Sequence, residues 1–143
     1  MIKTKNVYRL EVVRTKIAEP SAPLNSPGEV AKRYAYLEKY DRERLIRIDL
    51  DNENRVIGEE LVAIGTADAA LMSPREIFRG AILNGATRII VVHNHPSGNA
   101  EPSREDLDVR EKLVEAGKLL AVPVVDFVIV GEGGRYWCSS GVE

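Results

Sequence analysis

Apolar and polar positions along this chain alternate between strand-like and helix-like periods. Two apolar-rich runs, Arg44 to Leu50 and Val56 to Ile64, read as strands, and the turn formers Asp51-Asn52-Glu53-Asn54 between them predict a hairpin. A third run, Arg88-Ile89-Ile90-Val91-Val92, has the β-branched content of a buried strand. Val124 to Val130 follows Pro123 as a fourth, and Gly131-Glu132-Gly133-Gly134 turns into a last one, Arg135 to Cys138. Near the start, Val7, Tyr8, Val12 and Val13 predict a further strand over Val7 to Val13.

Helix signals fall between these runs. Ser26-Pro27-Gly28-Glu29 supplies a cap, a proline and an acid in the order that starts a helix, which is expected to run to about Tyr40 with Val30, Tyr34 and Leu37 on one stripe. Ser73-Pro74-Arg75-Glu76 repeats the signature; Ile77, Ala81 and Ile82 form the expected buried stripe, and Asn84-Gly85 ends it. A third helix is expected from about Ser103 to Leu120. Glu19 to Asn25 is a loop by its prolines and small polar residues, and Gly65-Thr66-Ala67-Asp68 is expected to leave the sheet. Strands mixed with helices, one hairpin among them, predict an α/β fold: a mixed β-sheet flanked by helices.

Length changes little in this picture. At 143 residues the chain is one domain's worth, with residues 1–41 expected to pack a strand and a helix on a core formed by 42–143. No apolar run approaches the ~20 residues needed to span a bilayer, and Met1-Ile2-Lys3-Thr4-Lys5 lacks the apolar region of a signal peptide, so a cytoplasmic location is the expectation. The one cysteine, Cys138, excludes an internal disulfide and any Cys-based zinc finger. A net charge of −2 leaves no global footprint for nucleic acid, although Lys3, Lys5, Arg9, Arg14 and Lys16 outnumber Glu11 and Glu19 at the start.

The candidate chemistry lies just after the third strand, in His93-Asn94-His95-Pro96-Ser97-Gly98. His93 and His95 are the only histidines in the chain, and at i and i+2 on a strand end they point to one side while Asn94 points to the other. Ser103 then opens a helical pattern with Asp106 in its first turn. Two imidazoles and one carboxylate with a fourth position left for water have the composition of a catalytic zinc site. Ser103-Arg104-Glu105-Asp106 has a second reading as a capping box, and the two readings compete for the Asp106 carboxylate. Glu101 and Glu105 are expected to point to solvent.

The spacing His-x-His, seven residues, Ser, two residues, Asp resembles the signature of the JAB/MPN (JAMM) metalloproteases, and the surrounding His-Asn-His-Pro-Ser-Gly and Pro-Ser-x-x-Asp resemble the RadC-like branch. The resemblance extends from about Arg42 to Val130 and includes Ser73-Pro74-Arg75-Glu76-Ile77. It implies the family's cytidine-deaminase-like α/β/α sandwich and a zinc ion on His93, His95 and Asp106. It also implies that Glu43, at the start of an early strand some fifty residues before the histidine pair, is the general base, with Glu59 and Glu60 as the fallback. Ser103 matches the serine that donates to the oxyanion of a tetrahedral intermediate.

The function so implied is zinc-dependent hydrolysis of an amide, as a peptidase or isopeptidase, on a peptide or protein-conjugate substrate whose identity the residues do not give. The alternative is a metal-binding, non-catalytic protein of DNA repair or maintenance. RadC-like proteins often carry an upstream helix-hairpin-helix segment, and the absence of that pattern here weakens any expectation of DNA as partner. A homodimer through an exposed edge strand near the N-terminus stays open. His-Asn-His does not make an HNH nuclease, whose residues are spread over a ββα fold. A zinc deaminase would need His-x-Glu and Pro-Cys-x-x-Cys, and a serine hydrolase Gly-x-Ser-x-Gly; the chain has none of these.

Overall fold

A computed structural model of the chain describes residues 6–65 and 73–141. Lys3 and Lys5, and the sheet exit at Thr66-Ala67-Asp68, lie outside the described residues.

The sheet has five strands: β1 (Arg44–Leu50), β2 (Val56–Ile64), β3 (Arg88–Asn94), β4 (Val124–Val130) and β5 (Tyr136–Cys138), in the order β2-β1-β3-β4-β5. β1 is antiparallel to β2 and β3, β3 is parallel to β4, and β4 is antiparallel to β5, so the sheet is mixed as expected. The one parallel pair needs a long crossover. That crossover is α3 (Arg104–Leu120), which ends at Ala121 in a left-handed conformation.

Alternation along β3 sorts the core into two layers. Ile89 and Val91 face α2 (Pro74–Leu83) and α3, packing with Ile77, Phe78, Leu113 and Phe127. Ile90 and Val92 face the other way, toward α1 (Pro27–Arg33) and the 3₁₀ turn Ala35–Lys39, with Val30, Tyr34 and Leu37. A central strand buried on both faces reads as a continuous apolar run, which is why Arg88 to Val92 shows no alternation.

Three expectations are corrected. Val7 to Val13 forms no strand: the segment makes no ladder among the described residues, and Val7, Tyr8, Leu10, Val12 and Val13 are exposed. β propensity alone does not form a strand; a free edge must take it up. The helix expected to reach Tyr40 is α-helical only to Arg33, because the backbone at Tyr34 leaves the helical region and continues as the 3₁₀ turn. On α2 the buried stripe is Ile77, Phe78 and Ala81, whereas Ile82 is about half exposed.

Candidate metal centre

β3 and α3 bring the two halves of the site together at the carboxyl end of the parallel pair, where open α/β sheets hold their ligands. His93 is paired in register with Leu45 of β1 and Ile129 of β4, so its ring is held in the sheet and is 2% exposed. Its side faces the α2/α3 layer, where the Phe127 ring lies 5.3 Å away. The His95 N–H still donates to Val130 at 3.1 Å, and the turn after it closes through Gly98 N–H to the His95 carbonyl. Gly98 sits at φ +88° against Glu132, a conformation and a close approach that both favour glycine.

α3 begins with a closed capping box. Asp106 N–H donates to Ser103 Oγ at 3.1 Å, and Ser103 N–H donates to Asp106 Oδ2 at 2.8 Å. The capping reading of Asp106 therefore holds. The same carboxylate faces both imidazoles, with Oδ2 3.0 Å from His95 Nε2 and Oδ1 3.5 Å from His93 Nε2. A carboxylate accepts from several directions, so cap and site share it.

The electrostatics separate the two histidines. Burial pushes His93 down to about 4, against the pull of Asp106, so the ring is neutral at ordinary pH. Its Nε2 is buried and has no hydrogen-bond partner among the described residues. A buried polar atom without a partner calls for an explanation, and a cation is one. His95 is raised, chiefly by its hydrogen bond to Asp106. Its Nδ1 donates to the Asn99 carbonyl at 2.9 Å, which leaves Nε2 as the atom turned to the site. Burial would raise Asp106, but His95, His93 and the Ser103 cap hold it at about 2, fully ionised.

Glu43 enters from the start of β1. Its Oε1 lies 3.9 Å from His95 Nε2, and one ligand atom each of Glu43, His93 and His95 lie within 4.8 Å of one another. Two carboxylates thus stand beside the imidazole pair: Asp106, deeply buried and pinned, and Glu43, with its side chain 27% exposed. An open cavity of about 560 Å³ reaches the site, lined by Arg42, Glu43, Gly65, His95, Ser97 and Ser103 among others. The fallback acids are elsewhere: Glu60 pairs with Arg47, and Glu59 accepts from Tyr34, both on β2 opposite Arg47 and Ile48 of β1, whereas His93 lies beside Leu45 on the other side of that strand. Glu101 and Glu105 are exposed, as expected.

One residue at the site escaped the sequence reading beyond its direction. Asn94, buried, accepts from Arg44 N–H at 2.7 Å and donates to the Arg42 carbonyl at 3.1 Å, so its amide brackets Glu43. The available signal was an amide at the last position of a buried strand, pointing away from the histidines.

Residues 24–141 match the family model of the RadC-like JAB domain. The chain belongs to that family. A UPF0758 protein of Methanosarcina acetivorans is 43% identical over 125 residues, which cover 87% of this chain and 54% of that protein. Another, of Trichormus variabilis, is 46% identical over 114 residues, 79% of this chain and 47% of that protein. The chain thus spans about half the length of the curated relatives it matches. The five-stranded mixed sheet flanked by three helices is consistent with the JAB/MPN α/β fold, and the paired histidines of this RadC-like JAB domain stand where a metal-binding group is feasible. No helix among the described residues is long and apolar enough to cross a membrane.

Proposed function

We propose that this RadC-like JAB domain is a zinc-dependent hydrolase of amide bonds, a peptidase or isopeptidase, acting in the cytoplasm. The observation that carries the reading is the neutral, buried His93 with an unpartnered Nε2, set beside His95 Nε2 and an ionised Asp106. Those three residues are the proposed ligands. Asp106 is preferred to Glu43 as the third because it is buried and fixed by the Ser103 cap, while the Glu43 side chain is 27% exposed at the cavity wall. A zinc ion in such a site supplies a Lewis acid for a carbonyl and brings the pKa of a bound water near neutrality.

The chain's own residues divide the remaining work. Glu43 accepts the proton of the attacking water at its carboxylate and returns it to the departing amine nitrogen. Ser103 uses an Oγ lone pair for the cap and keeps its hydroxyl proton, which donates to the oxyanion of the tetrahedral intermediate. Asn94 holds the backbone on both sides of Glu43 and so fixes where that carboxylate starts.

Metal analysis of purified protein beside its Asp106→Asn and Glu43→Gln variants, combined with cleavage of peptide and isopeptide libraries, tests the reading. We expect near-stoichiometric zinc in the parent and in Glu43→Gln, loss of zinc in Asp106→Asn, and turnover in the parent alone. A zinc-loaded parent that cleaves no member of either library refutes the hydrolase.

A further inference from the structure

The segment that precedes the domain is built like a strand and has no sheet. Val7, Tyr8, Leu10, Val12, Val13 and Ile17 are each more than half exposed, and residues 7–17 join no ladder among the described residues. In an extended chain Tyr8, Leu10 and Val12 fall on one face, and Arg9 and Glu11 on the other. Contiguous apolar surface of this kind marks a contact site.

The same molecule offers an edge. β2 is the outermost strand on its side, nine residues long, with backbone groups bonded to β1 alone. An open edge is a template for another strand. On the face of β2 that carries Leu61 and Glu59, Leu61 is exposed. Beyond it Tyr34 donates to Glu59, and the half-exposed Tyr36 ring lies 6.0 Å from that of Tyr34. The opposite face carries Glu60, whose side chain is half exposed. The exposed Leu61 and Tyr36 offer apolar contact on one side of this edge to the Tyr8, Leu10 and Val12 face of the arm.

We propose that residues 7–13 add to the free edge of β2 in a second copy of this chain, which returns its own arm to the first. Reciprocal exchange makes a closed two-fold dimer and removes one open edge from each sheet. The segment enters its own domain at Leu24, whose N–H donates to the Asn54 carbonyl at the β1–β2 turn. Some ten residues of loop lie between Val13 and that anchor, enough to carry the arm away from its own sheet.

Mass measurement by light scattering across a concentration series, on the full chain, tests this. We expect a dimer for the parent, and a shift to monomer for Val12→Pro, which removes a ladder donor from the arm, and for Leu61→Lys on the edge. Thermal melts of both variants check that the domain itself stays folded. Disulfide trapping then locates the strand, in a Cys138→Ala background. A Leu10→Cys chain mixed with a Leu61→Cys chain should cross-link into a heterodimer. A monomeric parent, a dimer indifferent to Val12→Pro, or the absence of that heterodimeric cross-link each overturns the proposal.

Discussion

Ser103 and Asp106 hold each other reciprocally, each backbone N–H donating to the other's side chain, at 2.8 and 3.1 Å. The pair starts α3 and aims the Asp106 carboxylate at two imidazoles, so helix capping and site assembly are one arrangement. Ser103→Ala should therefore cost about 1 kcal/mol of stability as a lost cap. If the hydroxyl also serves the oxyanion, turnover should fall about 10²–10³-fold with zinc content unchanged. Chemical denaturation, metal analysis and kinetics on one preparation check all three. An intact rate with the cap lost would leave Ser103 a purely structural residue.

Asn94 bridges Arg42 and Arg44 across Glu43, standing in for ladder bonds where β1 begins. Asn94→Ala leaves a backbone donor and an acceptor without that partner, at a cost of roughly 1–3 kcal/mol. It also frees the segment that carries Glu43. The expected signature is a lower kcat with zinc still bound, since no proposed ligand is touched. Zinc loss in this variant would place Asn94 in support of the histidines instead.

The fold was legible because most of its signals are local. Proline-led helix starts at Pro27 and Pro74, turn formers at 51–54 and β-branched runs each act within a few residues. His93, His95 and Asp106 were legible for the same reason, one strand end and one helix start separated by a short loop. What escaped was pairing over long separations: Asn94 with residues fifty positions earlier, and the arm at 7–13, whose propensity is clear but whose strand partner is absent from its own sheet. The polar residues Arg47 and Asp49 are a further case. Alternation in β1 places them on one face, and only the packing of α2 over that face buries them.

That buried pair carries its own prediction. Arg47 binds Asp49 through Nε at 2.6 Å and Nη2 at 3.0 Å, and its Nη1 reaches Glu60 and the Ile77 carbonyl. Gly80 of α2 lies so close that an added Cβ would stand 2.7 Å from Arg47 Nη1. Removing Asp49 leaves Nε and Nη2 of a buried guanidinium without their acceptors, so Asp49→Ala should cost about 3–5 kcal/mol. Glu60→Gln, at the half-exposed end of the network, should cost less than about 1 kcal/mol. Equal losses in urea denaturation of the two variants would contradict this ranking.

Because the chain has only two histidines, their titration can be read without ambiguity. In metal-free protein, nuclear magnetic resonance should show one imidazole, His93, staying neutral down to about pH 4, and the other, His95, protonating above its ordinary value. The signs oppose each other. His93 is depressed, so the unfolded state binds more protons below pH 6.5 and stability falls as pH drops from there to 4, by ~3 kcal/mol at the limit. His95 is raised, so its contribution is complete below pH 6.5 and is lost as pH rises through its folded value. Asp106 adds stability above its unfolded value that disappears only as pH falls toward 2. Below the folded value of His95, zinc binding should then release a proton from that ring, and above pH 4 none from His93. Calorimetry in buffers of different ionisation enthalpy counts that proton, and uptake with no release would mean that His95 lies outside the metal's coordination.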